Sequence, residues 1–192
     1  MSEQKLAGYE ASGQGIAAIV AAFKNYPSVA MKYLEKYGLA KQGQEIDQTA
    51  WYAFGPWVNA LHAMSSEVGA NTMYRIGRSV PESVVFPPFV KDIHSVVQSI
   101  DMGYRMNHRR NGTLLSELSS EETSEVGRYG YQTVEGENQI VCVCDNPYPC
   151  DIDRGLIAAM AARFEPLAKT QHDSEAPCRR KGGNSCTYVV FW

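Results

Sequence analysis

Cys178 and Cys186 stand eight residues apart around a Lys181-Gly-Gly-Asn184 turn, with Cys150 upstream and Glu175 three residues before Cys178. A strand-like run, Thr187-Tyr-Val-Val-Phe-Trp192, closes the chain. A thiol on each arm of a tight hairpin, with a third thiol and a carboxylate within reach, is a way to build a tetrahedral metal site. It fixes an antiparallel element at the C-terminus. It also favours a metal-stapled sensor or binding module over an enzyme, because four protein ligands leave a metal no open position.

At 192 residues the chain reads as a single domain, 1–192, long enough to bury a core unaided, so a metal would organise a local element. The net charge is −3 with both signs scattered, and no basic stripe suggests a nucleic-acid partner. The N-terminus is polar, and the apolar stretch Ile16 to Phe23 is too short to span a bilayer. The expectation is a cytoplasmic protein with no membrane span. In that compartment five cysteines point to metal ligands or buried thiols before disulfides.

Apolar spacing predicts helices through most of residues 1–112. Ile16, Ile19, Val20 and Phe23 form one stripe, and Val29, Tyr33, Leu34 and Tyr37 a second between Pro27 and Gly38. Trp51, Phe54, Trp57, Val58, Leu61 and Met64 form a third, with Gly55-Pro56 expected to kink or divide it. Val68 to Ile76 reads as a helix ended by Gly77 and Pro81, and Phe89 to about Arg110 as another whose end His108-Arg-Arg110 would cap. From residue 126 the pattern changes: Gly127 to Val134 and Gln139 to Cys144 read as a hairpin, Gly155 to Leu167 as a helix, and Ala168 to Ser174 with Ser185 to Trp192 as a last strand pair. The class is α+β, a helical part followed by a hairpin–helix–hairpin lobe.

Cys142 and Cys144 face one side of a predicted strand, and Cys142 reads as a buried thiol. Cys150, Cys178 and Cys186 are the candidate zinc ligands. The residues alone leave the fourth open among Glu175, Cys144 and His172.

Asn146-Pro-Tyr-Pro-Cys150-Asp-Ile-Asp-Arg-Gly155 together with His172-Asp-Ser-Glu175-Ala-Pro-Cys178-Arg-Arg-Lys-Gly182-Gly-Asn-Ser-Cys186-Thr-Tyr-Val-Val resembles the 4-vinyl reductase domain family, over residues 126–192. That family includes sensory domains of phenol-responsive bacterial transcription activators. It is distantly similar in fold to TRAPP transport subunits and to haem-nitric-oxide-binding domains. The resemblance implies a structural zinc held by Cys150, Glu175, Cys178 and Cys186, and so favours Glu175 as fourth ligand. It implies a small-molecule pocket beside the zinc lobe and a homodimer, and a standalone sensor would pass its signal to a separate protein partner. Aromatic and thioether side chains are the expected lining: Trp51, Tyr52, Trp57, His62, Tyr74, Phe89, His94, Tyr104 and Met106. The ligand would be an aromatic molecule or a tetrapyrrole. Haem itself is disfavoured, because the Tyr-x-Ser-x-Arg propionate clamp of haem-nitric-oxide domains occurs nowhere in the chain. An enzyme or accessory factor of tetrapyrrole or aromatic metabolism, and a structural interaction module, are the competing readings.

Overall fold

The computed structural model describes residues 3–192. A 3-10 turn, Glu3–Leu6, leads into β1 (Tyr9–Ser12), α1 (Gly13–Ala22) and α2 (Pro27–Lys36). Then come β2 (Trp51–Ala53), α3 (Phe54–Val68), α4 (Ala70–Ser79), a 3-10 turn Val80–Ser83, and α5 (Ile93–Met106). β3 (His108–Arg110), β4 (Thr113–Leu114), β5 (Gln132–Thr133) and β6 (Gln139–Cys144) precede α6 (Cys150–Ala162), β7 (Lys169–His172) and β8 (Cys186–Phe191). The strands form two antiparallel sheets, β2-β1-β3-β4 and β5-β6-β8-β7. The class is α+β, as expected.

The second sheet joins the two expected hairpins, β5–β6 and β7–β8, along the β6–β8 ladder. Alternation along that ladder buries Ile140, Cys142 and Cys144 on one strand and Cys186, Tyr188 and Val190 on the other, against α6.

The first sheet corrects the expectation that the N-terminal part is purely helical. His108–Arg110 is a strand, with Arg109 paired to Glu10 at 2.6 Å and stacked over Trp51 at 4.4 Å. Cross-strand pairing thus absorbs a basic run expected to cap a helix. Strands of three or four residues carry too little periodicity to read from sequence. Pro56 does not kink α3. It lies in the first turn, where a helix N–H has no intrahelical acceptor and proline is harmless. Gly77 does not end α4 but lies within it, at the crossing with α6. α6 begins at Cys150, five residues earlier than the expected start at Gly155, with Pro149 as its N-cap.

α5 starts at a capping box in which Asp92 accepts from the Ser95 N–H at 2.7 Å. Its far end is tied to the start of α1. Ser12 caps α1 by accepting from the Gly15 N–H at 3.0 Å, and its hydroxyl donates to Asn107 Oδ1 at 2.6 Å. These ties join the start of α1 to the end of α5, two helices that contribute residues to the lining of one cavity. No helix among the described residues is long and apolar enough to cross a membrane.

Candidate ligand cavity and thiol cluster

The thiol cluster is built by one helix start and one turn. Cys150 is the first residue of α6, Cys178 precedes the 3-10 turn Arg179–Lys181, and Cys186 opens β8. The turn reverses through Gly182 at φ 86°, and the Gly183 N–H donates to the Cys178 carbonyl at 2.9 Å. A Cβ at Gly183 would sit 2.9 Å from the Cys178 nitrogen, so this approach needs glycine.

All three thiols are buried, with Sγ separations of 3.2 Å (Cys150–Cys186), 3.9 Å (Cys150–Cys178) and 4.0 Å (Cys178–Cys186). Two thiolates on a tetrahedral zinc with 2.3 Å bonds lie about 3.8 Å apart, so the set fits such an ion after a small opening of one pair. Cys150 and Cys186 share a proton. Their mutual hydrogen bond, with the Arg179 backbone N–H and Nε–H donating to the Cys186 sulfur at 3.4 Å each, holds the Cys186 pKa down and pushes the Cys150 thiol up.

Among the described residues no carboxylate or imidazole joins the three thiols, whose sulfurs all lie within 4.8 Å of one another. Glu175 is exposed on the preceding loop, its N–H donating to Asp173 Oδ1 at 2.9 Å. Cys144 lies opposite Cys186 on the β6–β8 ladder with its pKa raised by burial, and burial pushes Cys142 up to about 12. His172 stacks on Tyr188 with ring centroids 5.0 Å apart.

A buried polar network backs the cluster. The Arg179 guanidinium bonds Asp153, and also Asn146 through its backbone carbonyl and through Oδ1 at 2.8 Å. Asp153 is fully buried and also accepts from Tyr129 Oη at 2.6 Å and Asn146 Nδ2 at 3.2 Å. Burial raises the Asp153 pKa against the pull of Arg179.

On the other side of Tyr129 lies a cavity of about 320 Å³ between α1, α5, the Val80–Pro87 strap and Leu156 and Met160 of α6. Its walls are Ile16, Ile19, Val80, Val84, Phe86, Ile100, Met102 and similar residues, and no Asp, Glu, Lys or Arg lines it. Its polar lining is Tyr104, His108, Tyr129 and Tyr148, with Ser12, Ser99 and Asn107. There the donors can be assigned one by one. His108 Nδ1–H donates to the Tyr104 carbonyl at 2.6 Å, because a carbonyl only accepts. Burial holds the His108 pKa down to about 4, so the ring is neutral and Nε2 accepts from the Tyr148 hydroxyl at 2.8 Å. Tyr104 Oη donates to the Val126 carbonyl at 2.7 Å and Tyr129 Oη to Asp153. Trp57 Nε1 donates to Tyr148 Oη at 3.3 Å. Every O–H and ring N–H of these four residues is committed, whereas phenol lone pairs remain. Burial raises the phenol pKa values, so they stay protonated.

Of the side chains expected to line a pocket, the structure brings Tyr104 and Met106 to this cavity. Trp57 is buried behind it, bonded to Tyr148. His62 bonds the Pro147 carbonyl at 2.8 Å and lines a second cavity, with Cys150, Arg179 and Arg180. Trp51 lies under Arg109, and Tyr74 under Arg154 at 4.5 Å. Tyr52 bonds the Asp47 N–H at 2.9 Å, and Phe89 is exposed. His94 bonds Tyr131 at 2.8 Å and packs edge-on to Trp192. An aromatic stripe at helical spacing covers several faces of several helices, so spacing alone does not gather it into one pocket. Sequence reasoning passed over His108, Tyr129 and Tyr148. Tyr148 is held between Pro147 and Pro149, and a tyrosine fixed between two prolines was the available signal.

Solved structures decide the architecture. An H-NOX protein from S. oneidensis in the Fe(II) ligation state superposes with a TM-score of 0.61 at 17% identity, over 94% of this chain and 95% of that one. The fold is that of the H-NOX domains. A structure concerned with haem distortion in the H-NOX family gives 0.61 at 11% identity, over 94% of each chain. An H-NOX protein from S. oneidensis in the Fe(II)NO ligation state gives 0.59 at 18% identity, over 93% of this chain and 97% of that one. No protein-family model matches the sequence, and no curated protein matches it.

The H-NOX fold raises haem as a cavity ligand, and the lining does not fit it. Haem iron needs an axial His, Cys, Met or Tyr donor. The one imidazole in the lining, His108, has both nitrogens engaged, and Tyr104, Tyr129 and Tyr148 are committed as described. No cysteine lines the cavity, and no lining cation is present to pair with propionates. Of the usual axial donors only the thioethers of Met102, Met106 and Met160 remain in the lining.

Proposed function

We propose that this chain is a small-molecule sensor domain whose ligand occupies the 320 Å³ cavity and is uncharged and mainly apolar. The observation that carries this reading is the lining: apolar walls without a charged side chain, with three phenols and a neutral imidazole among them. A charged ligand there would lie desolvated without a counter-ion, at a cost of several kcal/mol or more. The volume is at the small end of the ~300–1,000 Å³ typical of ligand pockets, which suits a molecule of one or two rings. With the phenol and imidazole donors spent and phenol lone pairs left, a ligand bearing one O–H or N–H is preferred over one that only accepts.

In this reading Cys150, Cys178 and Cys186 hold a structural zinc that pins the β8 turn to the start of α6, the role that the resemblance to the 4-vinyl reductase family implies. Glu175 completes the tetrahedron by folding its loop inward. The resemblance further supplies a homodimer and a separate protein partner as the route by which occupancy is read out.

The test is a fluorescence titration with 2-naphthol, an uncharged two-ring molecule with a single hydroxyl. Gly103 lines the cavity, and a Cβ there meets nothing within 4 Å, so Gly103→Leu fills the space. Saturable binding to the wild type, weaker by about tenfold or more in Gly103→Leu, supports the reading, a loss of at least 1.4 kcal/mol. 2-Methoxynaphthalene, which lacks the O–H, should bind less tightly. Absence of saturable binding, or equal affinity in the filled variant, removes the cavity as the ligand site.

A further inference from the structure

Three contacts, buried or partly buried, lead from the cavity wall to the sulfur cluster. Tyr129 lines the cavity and donates to Asp153 at 2.6 Å, Asp153 pairs with Arg179, and Arg179 Nε donates to the Cys186 sulfur at 3.4 Å. The end members point into different sites, and the middle pair has no freedom to absorb a displacement. Asp153 is wholly buried and depends on its donors, Tyr129, Asn146 and Arg179, because a buried carboxylate that loses a donor is heavily penalised. The guanidinium is a rigid plane. The nitrogen that meets Asp153 and the nitrogen that meets Cys186 are two corners of that plane, so one cannot shift without the other.

We propose that Arg179 is a positioning residue that couples ligand in the cavity to metal at Cys150, Cys178 and Cys186. This rests on the cavity reading above. A ligand that moves Tyr129 or draws on its hydroxyl alters what Asp153 asks of Arg179, and the guanidinium plane carries the change to the Cys186 sulfur. The cluster is then a second, thermodynamically linked input and not a passive staple.

Linkage makes the proposal measurable, since the factor by which one ligand changes the affinity of the other is the same in both directions. Zinc affinity is measured by chelator competition on the full chain with and without saturating 2-naphthol, and naphthol affinity with and without zinc. The expected result is a change of about fivefold or more in each, of equal size. Tyr129→Phe keeps the ring in the wall and removes the hydroxyl. It should bind both zinc and naphthol while the factor falls to one. Arg179→Lys keeps the charge and loses the planar link, and should do the same. Naphthol binding that leaves zinc affinity unchanged overturns the coupling and leaves the cavity reading standing, whereas a factor that survives in both variants overturns Arg179 as the residue that carries it. No naphthol binding overturns the cavity reading and the coupling with it, and no zinc binding overturns the cluster as a metal site and the coupling likewise.

Discussion

α6 carries both Cys150 and Asp153, so the depth at which it beds against α4 sets the geometry of the whole site, and two glycines fix that depth. A Cβ at Gly155 would lie 2.1 Å from the Tyr74 carbonyl oxygen, 2.9 Å from the Arg78 nitrogen and 3.0 Å from Gly77 Cα. From the other helix, a Cβ at Gly77 would lie 2.3 Å from the Ile152 carbonyl oxygen. The obstacles are backbone atoms of a packed helix, which cannot rotate away. Restoring ordinary contact requires the helices to part by about 1 Å, which loosens the dispersion contacts along the crossing. Overpacking of this kind costs about 1–3 kcal/mol and more when backbone must move, against about 1 kcal/mol gained by replacing a helical glycine with alanine. Gly155→Ala should therefore lose about 2–3 kcal/mol, which for a domain of this size lowers Tm by about 5–10 °C. Gly103→Ala is the matched control: it too lies inside a helix, its Cβ meets nothing, and it should gain up to about 1 kcal/mol. Thermal unfolding followed by circular dichroism reads both. A Gly155→Ala protein as stable as the wild type would refute the claim that the crossing is set by glycine.

His108 supplies a pH dependence. Its folded pKa of about 4 lies below the unfolded ~6.5, so the unfolded chain binds more protons between those values. Its contribution is whole above pH 6.5 and is lost as pH falls toward 4, by about 2–3 kcal/mol across that window. Urea unfolding at pH 7 and pH 4 should show a smaller drop for His108→Asn than for the wild type, and equal drops would contradict the buried neutral imidazole. For the cluster, Cys178→Ser or Cys186→Ser should lose bound zinc while Cys142→Ser keeps it, as read by metal analysis of the purified proteins. Equal metal content in all three would remove the assignment, and Glu175→Ala against Cys144→Ala decides the fourth ligand.

The C-terminal lobe was largely legible in the sequence because its signals are local. A thiol–glycine turn and two alternating strands report their own neighbourhood, and the structure gathers Cys150, Cys178 and Cys186 as the spacing suggested. The first sheet was not legible: β1 pairs with β3 from Tyr9 to Arg110, across about a hundred residues, and each strand is too short to show a period. Gly77 and Gly155 looked like helix boundaries because glycine's two uses, ending a helix and admitting a close neighbour, are identical in sequence. The lining of the cavity was legible only in part for a related reason. Tyr104 was found on its helix face, but His108, Tyr129 and Tyr148 meet it from a strand, a bridge and a proline-held loop, and only the tertiary fold brings them together.

A cavity in an H-NOX fold that takes an uncharged apolar molecule should not take up haem, and titration of the protein with haem is the direct test. The absorption spectrum should remain that of free haem, with no displacement of bound 2-naphthol. Saturation at one haem per chain, with a sharpened Soret band that disappears in His108→Ala, would contradict it.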